Sequence, residues 1–186
     1  MIVGIYCGSR SGGDPIYTST AQSVGQSLAL LGVEIVYGGG RVGLMGAVAD
    51  AALSKGGRVS GIIPRLLVER ETAHTGLTRL HVVENMHERK AKIAEIAEAF
   101  IALPGGAGTF EEIVEQWTWG QLGIHQKPCA FLNVKGYFDP IKSMIENMVS
   151  EGFIQRDHAD MLTFSDDLGV LLERFKNYIP PPRKWT

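Results

Sequence analysis

The sequence predicts an α/β protein: a doubly wound parallel sheet in three layers, with helices covering both faces. Three observations carry this prediction. Short apolar runs alternate with helix-length segments along the chain. The runs are continuously apolar, as strands buried on both faces are. Glycine-rich loops follow the first, second and fifth runs, where open α/β sheets bind ligands beyond the carboxyl ends of their strands.

The elements follow in order. Ile2 to Tyr6 is the first strand, and Gly8 to Pro15 a loop in which Pro15 can open a helix. Residues 16 to 31 carry apolar groups at helical spacing (Ala21, Val24, Leu28, Leu31), with Gly32 as the stop. Val33 to Tyr37 is the second strand, Gly38 to Gly43 the second glycine loop, and Leu44 to Lys55 an alanine-rich helix. Val59 to Ile63 is the third strand, ended by Pro64, and a short helix is expected around Leu66 to Glu69. Leu80 to Val83 is the fourth strand, and Asn85 caps a helix from Met86 to about Glu98. Ala99 to Leu103 is the fifth strand, followed by a helix over Gly108 to Gln121. Pro128 to Val134 is the sixth strand, with a helix from about Pro140 to Ser150. Met161 to Phe164 makes a last short strand, and Ser165 caps a helix to about Tyr178, which the Pro180-Pro181-Pro182 run cannot continue. Residues 1–180 are expected to form a single domain, with 181–186 as a proline-containing tail.

Composition narrows the functional classes. The 186 residues suit one α/β domain with a substantial core. With 45% hydrophobic and 20% charged residues, the chain reads as an ordinary globular protein. A net charge of −2 gives no general pull toward nucleic acid or anionic membrane. No apolar run approaches the roughly 20 residues needed to span a bilayer. The opening segment lacks a basic region and reads as a strand instead of a signal peptide, so the expected compartment is the cytoplasm. Cys7 and Cys129 stand at the ends of apolar runs with no C-x-x-C or His/Cys cluster. They read as buried, reduced thiols, with no metal site. A catalytic Cys7 beside its Gly/Ser loop is the alternative.

The most informative stretch is Leu103 to Glu112, an apolar run ending at Pro104, then glycines, a threonine and two carboxylates. Such a turn brings bare N–H groups and a helix N-terminus up against an anion. It also sets a carboxylate about one turn inside that helix. An acid there repels phosphate, so it works on another part of the ligand. Adjacent helical residues point about 100° apart, so only one of Glu111 and Glu112 can face the crevice; the other is a first-turn acid favoured by the helix dipole. Arg89 and Lys90 open the helix after strand four, where the dipole disfavours cations, so an anion nearby would resolve the conflict. The alternative is a solvated basic turn paired with Glu88. Trp117 and Trp119 read as core or dimer packing ahead of base stacking. The chain lacks the Gly-Lys-Ser/Thr of a P-loop, and its first turn does not match G-x-G-x-x-G, so P-loop chemistry and ordinary NAD binding are disfavoured.

Pro104-Gly105-Gly106-Ala107-Gly108-Thr109-Phe110-Glu111-Glu112 resembles the PGGxGTxxE signature of the LOG (Lonely Guy) family. These are cytokinin riboside 5′-monophosphate phosphoribohydrolases, often mislabelled as lysine decarboxylases. The stretch Gly38 to Gly46 is similar to the family's second glycine loop, Met86-His87-Glu88-Arg89-Lys90 to its M-H-x-R-K element, and Trp117 to Gly123 to its usual continuation. The resemblance runs over roughly residues 1 to 180. It implies a Rossmann-like fold and hydrolysis of the N-glycosidic bond of AMP or N6-substituted AMP. The products would be free base and ribose 5-phosphate, and no metal or organic cofactor is required. By position, the implied catalytic pair is Arg89 and Glu112. Expected substrate contacts are Gly8 and Ser9, Gly39 and Gly40, Met86 and Lys90, the turn Gly105, Gly106, Gly108 and Thr109, and Glu115, which lies on a face similar to that of Glu112. The resemblance also implies a homodimer joined by helices near residues 86 to 121. The rival is a non-catalytic nucleotide-binding or carrier module with the same crevice, and Glu112 discriminates the two. A lysine decarboxylase would need a Schiff-base lysine, and no lysine stands in a convincing crevice loop.

Overall fold

The computed structural model describes residues 1–68, 70 and 73–183. Seven strands form one fully parallel sheet in the order β4-β3-β2-β1-β5-β6-β7. They are β1 (Ile2–Tyr6), β2 (Glu34–Tyr37), β3 (Val59–Pro64), β4 (Arg79–Val83), β5 (Ala99–Ala102), β6 (Cys129–Leu132) and β7 (Leu162–Ser165). The helices between them are α1 (Pro15–Leu30), α2 (Gly43–Ser54), α3 (Arg65–Val68), α4 (Met86–Ile96), α5 (Ala107–Gln121), α6 (Asp139–Ser150), α7 (Arg156–Ala159) and α8 (Leu168–Lys176).

Alternation along each strand feeds two cores. From β1, Val3 and Ile5 join the layer under α1, α2 and α8, with Leu28, Val48 and Phe175. Tyr6 joins the opposite layer, with Ile93 of α4, Ile113 and Trp117 of α5, and Ile145 of α6. Trp117 is a core residue, and its indole N–H donates to the His158 carbonyl at 2.7 Å. Both layers draw most of their stability from burying such apolar area.

The sequence boundaries hold for most elements, and the differences have local causes. The sixth strand stops at Leu132, and a single 3-10 turn (Val134–Gly136) follows. Asn133 turns the chain there: its Oδ1 accepts the Phe138 N–H and its Nδ2 donates to Asp139, both at 2.7 Å. Ser165 closes β7, and Asp167 caps α8 in its place, accepting from Gly169 N–H at 2.6 Å. Helix α7 carries no apolar period in its four residues and was not legible. The expected short third helix begins at Arg65, and its expected last residue, Glu69, lies outside the described residues, as do Lys184 to Thr186 of the tail.

The topology fixes where a ligand can sit. Strand β1 pairs with β2 on one side and β5 on the other (Ile5 opposite Tyr37 and Ile101), so chain order reverses between β1 and β5. The carboxyl ends of these two strands frame the crevice of an open α/β sheet. The loops beginning at Cys7 and Leu103 open there, tied by Gly8 N–H to the Pro104 carbonyl at 3.1 Å.

Candidate active site

Two adjoining cavities flank the Gly8–Ser9 and Gly106 backbone. The first, of about 330 Å³, is lined by Tyr6, Cys7, Gly38, Met45, Leu67, Met86 and Arg89, by Gly106, Ala107, Gly108 and Thr109, and by Glu112. The second, of about 400 Å³, is lined by Arg10, Ser11, Gly12, Tyr17, Leu44, Gly105 and Tyr137.

Helix α5 delivers Thr109 and Glu112. Its N-cap, Gly106, makes no side-chain cap bond. The cap residue itself, lacking a side chain, does not occupy the amides of the first turn, and a helix start of this kind can receive an anion. Thr109 is buried, and Glu112 opens on the same cavity as these amides. Glu111 points elsewhere, to the Lys90 ammonium. The helix begins at Ala107, so Glu111 lies past the first turn, and its partner is a lysine where a dipole contact was expected.

Helix α4 delivers Arg89 and Lys90. Asn85 caps it, Oδ1 accepting the Glu88 N–H at 2.9 Å, and Glu88 closes the cap by accepting the Glu84 N–H at 3.0 Å. Glu88 thus serves the helix start. Arg89 and Lys90 are 5% and 8% exposed, which replaces the picture of a solvated basic turn. Arg89 lines the crevice with Glu112, and its Nη1 approaches Met86 Sδ at 3.7 Å. Lys90 lines neither cavity; its Nζ donates to Glu111 and, at 2.9 Å, to Glu115 Oε1.

The second glycine loop enters the crevice through Gly38. Gly39 and Gly40 turn away: the Gly39 carbonyl accepts the His74 N–H at 3.0 Å, and the Gly40 carbonyl accepts the Tyr37 hydroxyl at 3.0 Å. Glu115 is likewise turned to Lys90. Gly8 and Ser9 line both cavities. The sequence reading missed Tyr137, whose hydroxyl donates to the Gly105 carbonyl at 2.6 Å and braces the turn from the segment after the sixth strand. Its signal was faint, one aromatic after Gly136 in a loop.

The floor is buried and feels the charges of Glu112 and Arg89. Burial, then the charge of Glu112, pushes the Cys7 thiol far up, with Arg89 pulling the other way. Burial and then Glu112 likewise raise the Tyr6 phenol. Cys7 therefore stays a thiol, without the thiolate a nucleophile needs. Among the described residues, no lysine lines either cavity, and no three His, Cys, Asp or Glu side chains cluster as metal ligands would.

Comparison with known proteins shows the family of the chain. The family described as "Possible lysine decarboxylase" matches residues 45–175. The chain is 44% identical over 176 residues to the cytokinin riboside 5′-monophosphate phosphoribohydrolase LOG of Oryza sativa subsp. japonica, covering 95% of this chain and 73% of that protein. The chain belongs to the LOG family. A second LOG-family relative, the cytokinin riboside 5′-monophosphate phosphoribohydrolase of Rhodococcoides fascians, is 50% identical over 153 residues, covering 82% of this chain and 77% of that protein. The fold reaches further. The Moco carrier protein from Chlamydomonas reinhardtii superposes with a TM-score of 0.68 at 18% identity, covering 95% of each chain. At that identity the likeness concerns the fold alone. The LOG motifs converge on one cavity here: the PGGxGTxxE turn supplies Gly106 to Thr109 and Glu112, and the M-H-x-R-K element supplies Met86 and Arg89.

Proposed function

We propose that this LOG-family chain hydrolyses the N-glycosidic bond of AMP or an N6-substituted AMP. The bond between C1′ and the base nitrogen breaks, water oxygen bonds to C1′, and a water proton ends on the leaving base. The products are free base and ribose 5-phosphate. One observation carries this reading: a carboxylate, Glu112, opens on the same cavity as the uncapped amides of Gly106 to Thr109 and the buried Arg89.

Each group has work that its chemistry suits. The first-turn amides and the Thr109 hydroxyl hold the 5′-phosphate. Glu112 lies about 7.5 Å further along the helix axis, under the ribose, where its negative charge stabilises the oxocarbenium character that develops as the base leaves. It also aligns the attacking water. Arg89 fixes a phosphate or water oxygen and favours the ionised form of a neighbouring carboxylate. A pure binding module gains nothing from a carboxylate beside phosphate, whereas a glycosidic hydrolase needs one. The reaction as written requires no metal or organic cofactor.

The working form we infer is a homodimer in the cytoplasm that joins through helices α4 and α5, whose Met86 and Phe110 are 40% and 41% exposed. Its partners are nucleotides, without nucleic acid or membrane. Light scattering on the purified chain tests the dimer, and a monomeric mass would remove it.

The activity is tested by chromatography of the protein incubated with AMP and with N6-isopentenyl-AMP. Free base is expected from at least one. Glu112→Gln should cut release by on the order of 100-fold or more while nucleotide still binds. Nucleotide binding without base release by the parent protein would leave a carrier.

A further inference from the structure

We propose that Tyr137 is a positioning residue that sets the Gly105–Gly106 peptide so that its N–H, and not its carbonyl, faces a bound phosphate; this rests on the phosphate role proposed for the Gly106–Thr109 turn. The Tyr137 hydroxyl donates to the Gly105 carbonyl at 2.6 Å. That carbonyl and the Gly106 N–H belong to one peptide plane. Among the described residues no peptide is cis, so the two groups point in opposite directions. With the carbonyl drawn toward Tyr137, the Gly106 N–H is turned away from it. Tyr137 lines only the second cavity, whereas Gly106 lines both. The N–H is thereby left to the cavity that Ala107, Gly108 and Thr109 line without Tyr137. The preceding peptide is fixed separately, since the Pro104 carbonyl accepts the Gly8 N–H at 3.1 Å.

Glycine leaves this peptide able to turn over. Gly106 sits at φ −88°, and a half-turn of the peptide would carry φ to the positive side, which glycine adopts about as readily. The flipped peptide would present a carbonyl oxygen to the phosphate, and the two negative groups repel. That state binds no anion, so affinity falls with the fraction of molecules that occupy it. The Tyr137 hydroxyl opposes the flip by giving the unflipped carbonyl a donor. The tyrosine is itself firmly placed. Its ring packs edge-on against Tyr17 at 5.8 Å and against the buried Phe138 at 5.0 Å. Two residues earlier, Lys135 bonds Asp14, the cap of α1, at 2.7 Å. Among the described residues Lys135 alone, glycines apart, has a positive φ, 54°. Such a conformation costs energy and persists where the surrounding contacts fix it.

The test separates peptide orientation from ring packing. Tyr137→Phe keeps the ring and removes the donor. It is assayed for kcat, KM and calorimetric binding of ribose 5-phosphate. Affinity for ribose 5-phosphate should fall by roughly 3- to 10-fold, the effect of one hydrogen bond, and KM should rise by a similar factor. Saturating substrate draws the molecules back to the competent form, so kcat should stay within about twofold of the parent. Gly106→Ala is the second arm. A Cβ there meets nothing within 4 Å, and alanine disfavours the positive φ of the flipped peptide. In a Gly106→Ala background the loss caused by Tyr137→Phe should shrink to within about twofold. A loss of the same size in both backgrounds overturns the proposal, as does unchanged ribose 5-phosphate affinity in Tyr137→Phe, or a fall in kcat alone. Should Gly106→Ala by itself abolish binding, Tyr137→Phe decides by its split of KM against kcat. A parent protein that binds ribose 5-phosphate and releases no base refutes the hydrolase reading and leaves the Tyr137 comparison standing. A parent that binds no ribose 5-phosphate removes the phosphate turn, and the role of Tyr137 with it.

Discussion

Gly38 lies against the guanidinium of Arg89: a Cβ at Gly38 would stand 1.8 Å from Nη2 and 2.8 Å from Cζ. The end of β2 therefore leaves room for an arginine head, and this room brings Arg89 of α4 to the crevice. Gly38→Ala must move that head, since no backbone atom blocks the new methyl. The end of a flexible side chain yields at little cost to the fold. The melting temperature is expected to change by a few degrees at most, while kcat falls by on the order of 100-fold, the penalty of an ångström-scale misplacement. Thermal melts and steady-state rates on the same preparation check this; full activity in a folded Gly38→Ala protein would place Arg89 outside the mechanism.

Gly105 holds the other side of the crevice, and its contacts differ in kind. A Cβ there would stand 2.2 Å from Thr109 Oγ1 and 2.7 Å from the Gly8 backbone nitrogen. The second contact is main chain, so the β1 and β5 loops must part. Gly105→Ala is expected to lower stability by about 1–3 kcal/mol and to abolish measurable ribose 5-phosphate binding by calorimetry. Loss of stability with retained affinity would mean that the Gly106–Thr109 turn does not carry the phosphate.

Much of this was legible in the chain because buried parallel strands announce themselves. Runs such as Ala99 to Leu103 leave no polar face, and their spacing allows little besides a wound parallel sheet. The split between Glu111 and Glu112 was legible as a split, from helical geometry alone; which acid faces the cavity was settled by the resemblance. Pairings between distant segments stayed hidden. Nothing local tells Lys90 that Glu111 and Glu115 await it on the next helix. Nothing in three successive glycines says that Gly38 faces the cavity while Gly39 and Gly40 bond to His74 and Tyr37. Tyr137 reaches Gly105 across 32 residues, a distance no local pattern spans.

Cys7 borders the crevice but lacks the chemistry of a nucleophile. Burial raises its thiol, and burial alone raises that of Cys129. Neither forms a disulfide. At about pH 8, where an ordinary exposed thiol reacts readily, the native protein should show no fast-reacting thiol toward an aromatic disulfide reagent. The unfolded protein should show both. Treatment of the native protein should leave turnover unchanged. Rapid modification of one thiol with loss of activity would restore Cys7 as a candidate.

His125 couples the loop after α5 to pH. Burial, helped by the Lys127 charge, lowers its imidazole from the ordinary 6.5 to about 4, against a weaker opposing bond with the Gln116 backbone. Its Nδ1 accepts the Lys127 N–H at 3.1 Å, so the neutral ring carries its proton on Nε2, and the ring packs 5.5 Å from Phe100. The folded-state value is depressed, so the unfolded chain takes up a proton first as pH falls. The stabilisation is complete above about pH 6.5 and is lost progressively down to about pH 4. Discounted for the ring's partial exposure, the loss should be about 1–2 kcal/mol. His125→Asn keeps an acceptor for the Lys127 N–H and removes the titration. Denaturant unfolding at about pH 7 and about pH 4.5 should therefore show a smaller drop in stability for the variant than for the parent. Equal drops in the two proteins would assign the acid sensitivity to other groups.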